Sequence, residues 1–224
     1  MEQDRSRCLP IAEDFHSLQG EGYWVGTPMH FVRLAGCSVG NSNGNNVPLP
    51  MLFTGERAWE CCTYDGRAFA CDTDFKFHRW ASFDELLDNT WENHICITGG
   101  EPLMHMEKLE RFIAETQRRD IKVHVETSGT IEWGMSEVWI SVSPKKDVLD
   151  EMIHTADEIK LLVDEGFDLA TVPLAILNHH HVYLQPINGE FTLDENNLKR
   201  CMDILRIRPA WYMSVQTHKL LGLR

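Results

Sequence analysis

Short apolar runs alternate with amphipathic stretches along most of this chain. Residues 29–34, Met-His-Phe-Val-Arg-Leu, form a β-rich run ending at Gly36-Cys37 and predict a first core strand, with Arg33 its charged exception. Residues 83–91 predict a short helix, with Ser82 as cap and Glu85 at the capping-box position. A strand follows over 94–98, closed by Gly99-Gly100-Glu101-Pro102. Over 107–119, Leu109, Phe112, Ile113 and Thr116 fall on one helical stripe. Further strands are predicted over 122–126, 138–142, 159–163, 182–184 and 211–215. A helix is predicted over 193–207, opened by Thr192 or Asp194. Strands alternating with helices imply an α/β fold with a parallel sheet.

The polar residues that end these strands change the picture. The runs are Thr98-Gly-Gly-Glu-Pro102, Glu126-Thr-Ser-Gly129, Ser143-Pro-Lys145, Gln185-Pro186 and Gln216-Thr-His-Lys219. In a barrel or partial barrel the site sits at the C-terminal face of the strands. Glu126, Ser143, Lys145, Gln185 and His218 are therefore expected to line one cavity. Consecutive His179, His180 and His181 cannot share one face and read as a polar loop.

The cysteines add chemistry. Cys37, Cys61, Cys62 and Cys71 lie within an insertion over about 37–74, which also holds a Gly/Asn-rich loop at 40–46. The Asp65-Gly66 pair predicts a hairpin with a two-residue turn. In that register Tyr64 pairs with Arg67 and Cys62 with Phe69. Cys62, Phe69 and Cys71 then share a face, with the two cysteines diagonal neighbours about 7 Å apart, and Cys61 points away. Thiolates converging on one side suit zinc or an iron–sulfur cluster.

Composition narrows the classes. A chain of 224 residues reads as one domain, spanning 1–224. Its 34 acidic and 21 basic residues give a net charge of -13, which argues against binding nucleic acid or an anionic membrane. No run approaches a membrane span, and residues 1–14 lack the apolar core of a secretory signal. Seven cysteines without a signal point to a reducing, cytoplasmic location.

Taken in order and spacing, these motifs resemble the 7-carboxy-7-deazaguanine synthase family of radical S-adenosylmethionine enzymes. The resemblance runs from Phe15 to the C-terminus. It is carried by Leu18-Gln-Gly-Glu-Gly22, Phe31-Val-Arg-Leu-Ala-Gly-Cys37, Cys71-Asp-Thr-Asp74, Thr98-Gly-Gly-Glu-Pro102, Glu126-Thr-Ser-Gly129, Val142-Ser-Pro-Lys145, Gln185-Pro186 and Ser214-Val-Gln-Thr-His-Lys219. It implies a partial (β/α) barrel of the radical S-adenosylmethionine type. It also implies a 4Fe-4S cluster on Cys37, a second cysteine and Cys71. The superfamily pattern is Cys-x3-Cys-x2-Cys, yet Ala68 stands three residues before Cys71. The second ligand must come from Cys62 or Cys61, and the hairpin reading selects Cys62.

By the same resemblance, Ala70, Cys71, Asp72, Gly100, Ser143, Pro144, Lys145, Gln185, Pro186, Ile187 and Asn188 hold S-adenosylmethionine, and Thr73 ligates Mg²⁺. Leu18, Gln19, Gly20, Glu21, Arg33, Thr98, Glu126, His218 and Arg224 contact the substrate, 6-carboxy-5,6,7,8-tetrahydropterin. The implied product is 7-carboxy-7-deazaguanine, formed with loss of ammonia for queuosine-type biosynthesis. An electron donor such as flavodoxin and a homodimer are implied as well. Two rivals remain at this level: another radical S-adenosylmethionine enzyme, such as a glycyl-radical activase, and a non-catalytic zinc protein using Cys37, Cys61, Cys62 and Cys71.

Overall fold

The computed structural model describes residues 5–39, 59–71, 73–189 and 192–223. Eleven strands and six α-helices occur among them. The first strand, β1 (Cys8–Leu18), is followed by β2 (Pro28–Leu34). A hairpin, β3 (Trp59–Cys62) and β4 (Ala68–Cys71), stands as its own small sheet. Then come β5 (Arg79–Ser82), α1 (Phe83–Asn89), β6 (His94–Gly99), α2 (Met106–Arg118), β7 (Lys122–Thr127) and β8 (Val138–Val142). The rest is α3 (Asp150–Thr155), β9 (Glu158–Val163), α4 (Leu174–Leu177), β10 (Val182–Pro186), α5 (Glu195–Ile207), β11 (Tyr212–Met213) and α6 (Thr217–Leu220). The helix expected from 193 begins after Asp194, whose side chain accepts from Asn197 N. Ser82 caps α1 as expected, accepting from Glu85 N at 3.1 Å. The last strand is shorter than predicted. No described helix is long and apolar enough to cross a membrane.

The main sheet has nine strands in the order β11-β10-β9-β8-β7-β6-β2-β1-β5. From β2 to β11 every neighbouring pair is parallel, while β1 and β5 extend the sheet antiparallel. Successive strand residues face opposite sides, and here the two sides differ in chemistry. Ile95 and Ile97, Val123 and Val125, Val138 and Ile140, Ile159 and Leu161, and Val182 and Leu184 all join one buried core. That core includes Leu86 of α1, Leu109, Phe112 and Ile113 of α2, Ile153 of α3 and Ile204 of α5. Each such side chain contributes about 1.5–3 kcal/mol when buried, so this outer face carries the stability. The alternate residues are His94, Cys96 and Thr98, His124 and Glu126, Trp139 and Ser141, Glu158 and Lys160, and Tyr183 and Gln185. A mostly polar set on the inner face leaves room for a site rather than a packed barrel core.

The sheet curves but does not close, since β11 and β5 are its edges. A loop bridges the seam. Gly20 O, just after β1, accepts from Thr217 N and Thr217 Oγ1, each at 3.0 Å, and Gly22 N donates to Ser214 Oγ at 3.0 Å. This loop enters from the N-terminal ends of the parallel strands. Tyr23 N donates to Glu158 Oε2 at 2.7 Å, and the Trp24 ring packs against His94, His124 and Trp139. The loop therefore floors the partial barrel. His179 and His181 bond the carbonyls of Ala156 and Asp157, as a held polar loop would.

The hairpin register differs from expectation. Cys61 pairs with Phe69 and Cys62 with Ala68, and Thr63 N donates to Arg67 O. The turn thus has three residues, Tyr64-Asp65-Gly66, with Gly66 N donating to Thr63 O and Gly66 at φ 84°. That is a type I turn followed by a left-handed residue, where glycine alone avoids a steric penalty. The shift of one residue exchanges the faces: Cys61, Phe69 and Cys71 share one, and Cys62 goes to the other.

Candidate active site

One cavity of about 370 Å³ opens at the C-terminal ends of the parallel strands. Cys37, Cys61 and Cys71 line it, together with Phe69 and Thr73. Cys62 does not, so the corrected register decides which middle cysteine reaches the cavity. Three anchors hold the hairpin there. Thr63 bridges to Lys145, Arg67 pairs with Asp164 and donates to Leu162 O, and Tyr64 meets Thr171 and Phe167. Burial pushes the Cys61 thiol up to about 12, with Cys71 and Cys37 adding to the rise and Lys145 opposing it. Cys71 and Cys37 are thus both within electrostatic reach of Cys61.

Adjacent strand residues face opposite sides, so Cys61 and Cys62 cannot both turn toward Cys37 and Cys71. The four-cysteine zinc set therefore does not form. Among the described residues no three His, Cys, Asp or Glu side chains gather around a point as a single ion requires. A zinc ion draws its ligands onto bonds of about 2.0–2.3 Å, whereas an iron–sulfur cube holds its thiolates apart at its corners. What the rim offers is three thiols on one cavity wall, the donor chemistry an iron–sulfur cluster takes.

Gly100 shapes that rim. Glu101 N donates to Gly36 O at 3.0 Å, bringing the end of β6 against the Cys37 turn. A Cβ on residue 100 would stand 2.2 Å from Gly36 O and 2.6 Å from Cys37 Cβ. Overpacking of this kind costs about 1–3 kcal/mol. Gly100→Ala is accordingly expected to lower Tm by several degrees and to reduce the iron retained on reconstitution. Gly134→Ala, where the nearest atom is Thr155 Cγ2 at 3.8 Å, should change neither. Melting curves and iron assays check both.

Below the rim, Glu101 is fully buried and accepts from Thr127 Oγ1 (2.7 Å), Ser128 N (2.9 Å), Ser128 Oγ and Leu103 N (3.1 Å). It fastens the Glu126-Thr-Ser-Gly129 turn to the Gly-Gly-Glu-Pro turn. Lys145 donates to Ser143 Oγ at 2.7 Å and Ser143 O at 2.9 Å, and burial lowers its pKa against the pull of Cys61 and Cys71.

Deeper still lies a charged network. Lys160 Nζ is 2.8 Å from Glu21 Oε2 and 3.0 Å from Glu126 Oε1. Gln185 and Gln216 donate to Glu21 Oε1 at 3.1 and 2.8 Å. Gln19 and Thr98 donate to Glu126 at 3.2 and 3.1 Å. Burial raises the Glu21 carboxyl, but Lys160 and Gln216 outweigh it and hold Glu21 down to about 2. On the wall beside them Arg33 pairs with Glu13, Nε to Oε1 at 2.8 Å.

Of the residues singled out from sequence, the cavity wall includes Leu18, Gln19, Gly20, Glu21, Arg33, Thr98, Glu126 and His218. It also includes Cys37, Cys71, Thr73, Gly100, Ser143, Lys145 and Gln185. It does not include Cys62, Ala70, Pro144, Pro186, Ile187 or Asn188. Ala70 shares the outward hairpin face with Cys62, and Asn188 accepts from Asp194 N at the start of α5. Asp72 and Arg224 lie outside the described residues, as does the 40–46 loop. Lys160, Gln216 and Glu101 were not singled out from sequence. The signal for Lys160 was a lone lysine alternating with Ile159 and Leu161 in an apolar strand.

Comparison with known proteins decides the family. The chain is 30% identical over 250 residues to the 7-carboxy-7-deazaguanine synthase of Prochlorococcus marinus, covering 97% of this chain and 99% of that one. It belongs to the 7-carboxy-7-deazaguanine synthase family. The synthase of Buchnera aphidicola is 33% identical over 233 residues, covering 96% and 99%. The crystal structure of QueE from Escherichia coli matches with a TM-score of 0.63 and 27% identity, covering 96% of this chain and 99% of that one. No protein-family model matches. Family membership supports the radical S-adenosylmethionine fold, which here takes the form of the open, curved sheet. The activase and zinc readings find no support.

Proposed function

We propose that this chain converts 6-carboxy-5,6,7,8-tetrahydropterin to 7-carboxy-7-deazaguanine with loss of ammonia, in queuosine-type deazapurine biosynthesis. The carrying observation is one cavity with three thiols at its rim and a charged, amide-rich network at its base. Near-full-length similarity to the synthases supports it. Cys37, Cys61 and Cys71 would hold a 4Fe-4S cluster, with Cys61 replacing Cys62 as the middle ligand. Gly100, Ser143, Lys145 and Gln185 would hold S-adenosylmethionine, together with the backbone of Ala70, Pro144, Pro186, Ile187 and Asn188. Thr73 would ligate Mg²⁺, a cation that keeps most of its shell as water and substrate oxygens. When bound, the cluster and S-adenosylmethionine supply a 5′-deoxyadenosyl radical for hydrogen abstraction.

The chain's own residues do the rest. Arg33 pairs with the substrate carboxylate, because a guanidinium fork matches its geometry. Glu21, Glu126 and Thr98, with Leu18, Gln19, Gly20 and His218, contact the pterin ring, and Arg224 completes the set. The floor built from Tyr23, Trp24 and Trp139 keeps bulk water from below. A one-electron donor such as flavodoxin serves the cluster, and the active form is a homodimer in the cytoplasm. The test is anaerobic turnover with dithionite, S-adenosylmethionine, Mg²⁺ and the pterin, read by mass spectrometry. Cleavage of S-adenosylmethionine with the pterin left intact would refute the named reaction while leaving the radical chemistry in place.

A further inference from the structure

Lys160 stands where two unrelated parts of the chain meet. Glu21 comes from the loop that rises from the floor, and Glu126 from β7. Lys160, on β9, reaches both within 3.0 Å, and its side chain is only 5% exposed. Burial opposes its charge, yet Glu126, Glu21 and Glu158 together hold the ammonium well above the usual lysine range. Neutralising one buried carboxylate would need one lysine. Here a single lysine serves two carboxylates that both face the cavity.

The acceptor count points the same way. An ionised carboxylate offers about four acceptor sites. Glu126 takes bonds from Gln19, Lys160 and Thr98. Glu21 takes bonds from Lys160, Gln185 and Gln216. Among the described residues each therefore keeps about one acceptor site, and the two sit side by side. The other charged or titratable groups around the trio are Glu158 on the same strand, Cys96 on β6, Arg33 on β2, Lys145 after β8 and His218 after β11.

We propose that Lys160 is a positioning residue that sets substrate selection: it clamps Glu21 and Glu126 into one two-acceptor edge for the paired N–H donors of a 2-amino-4-oxopyrimidine ring. This rests on the pterin reading above. The clamp works through charge and position together. A 2-amino group and the adjacent ring N–H are two donors on one edge, and charge-assisted bonds to them are the strong kind. A ring with an acceptor on that edge would meet two negative charges and be rejected.

The experiment uses the reconstituted, reduced holoenzyme with the pterin and with its 2-desamino analogue. Wild-type protein should prefer the pterin by at least about 30-fold in kcat/KM, the scale of losing a charged hydrogen-bond partner. Lys160→Met should lower kcat/KM for the pterin by at least about 30-fold, mainly through KM. Its preference over the analogue should collapse toward unity. The acid limb of its kcat/KM profile should move toward neutral pH, because Glu21 loses the cation that offsets its burial. Iron content should stay at the parent level. Lys160→Arg, which keeps the charge, should restore much of the preference. Wild-type protein that uses pterin and analogue equally overturns this inference alone, whatever the variants do. So does Lys160→Met with the preference and pH profile intact. Wild-type protein that turns over neither overturns the pterin reading as well.

Discussion

Cys61→Ala is expected to lose most of its iron and more than about 10²-fold of its turnover, while Cys62→Ala keeps most of both. Changes one shell away from a metal already cost about 10–100-fold, so loss of a direct thiolate should cost more. The argument is geometric. Cys61 shares the hairpin face of Phe69 and Cys71 and lines the cavity with Cys37 and Cys71. Cys62 lies opposite Ala68 on the outward face. Iron and sulfide assays after anaerobic reconstitution, with the low-temperature EPR signal of the reduced cluster, separate the two variants. Loss of iron in Cys62→Ala with retention in Cys61→Ala would mean that the hairpin turns over when the cluster forms. Arg67 offers a second check on the same idea. It ties the hairpin to β9 through Asp164 and Leu162 O, so Arg67→Ala should weaken cluster retention without removing a ligand.

The reason this register escaped the sequence is physical. An Asp-Gly pair suits both a two-residue turn and the end of a three-residue one, since both place the glycine at positive φ. Thr63 helps to tip the balance here: its hydroxyl bonds Asp65 and the Arg67 backbone. The Thr63–Lys145 bridge and the Arg67 pairing with Asp164 then fix it from outside the hairpin. Neither partner is visible in the local sequence. By contrast, the strands from β6 to β10 were legible, because their outer residues form unbroken apolar alternations. Their inner residues carried more information than their ends alone revealed. Reading Glu158-Ile-Lys-Leu-Leu-Val as a strand conceals that Lys160 points inward, and only the curvature of the sheet brings it to Glu21 and Glu126. The first strand was hidden for another reason. Pro10, Glu13 and Asp14 make it look like a polar tail, yet its first residues, Cys8 to Ile11, pair with β5 and the stretch from Glu13 to Leu18 pairs with β2.

Arg33→Ala is expected to lower kcat/KM for the pterin by about 10²–10³-fold, leaving S-adenosylmethionine cleavage in the absence of pterin near the parent rate. Arg33 lies on β2, level with Thr98 of β6 and Glu13 of β1, and its side chain is 18% exposed on the cavity wall. The bond from Nε to Glu13 commits one of five guanidinium donors. A carboxylated substrate here meets a cation that is already oriented, so little rotamer entropy is lost on binding. Removing that cation has two effects with one sign. The substrate carboxylate loses its partner, which costs about 3–5 kcal/mol when the site is dry. Glu13 is left beside it, and two like charges repel. Arg33→Lys keeps the charge but not the planar fork, so it should fall between the parent and Arg33→Ala. A double change, Arg33→Ala with Glu13→Gln, should recover part of the loss by removing the repulsion. Steady-state kinetics on all four proteins, with deoxyadenosine release measured in parallel, gives the answer. If Arg33→Ala leaves KM for the pterin within a few-fold of the parent, another group holds the substrate carboxylate, and Arg33 serves only to neutralise Glu13.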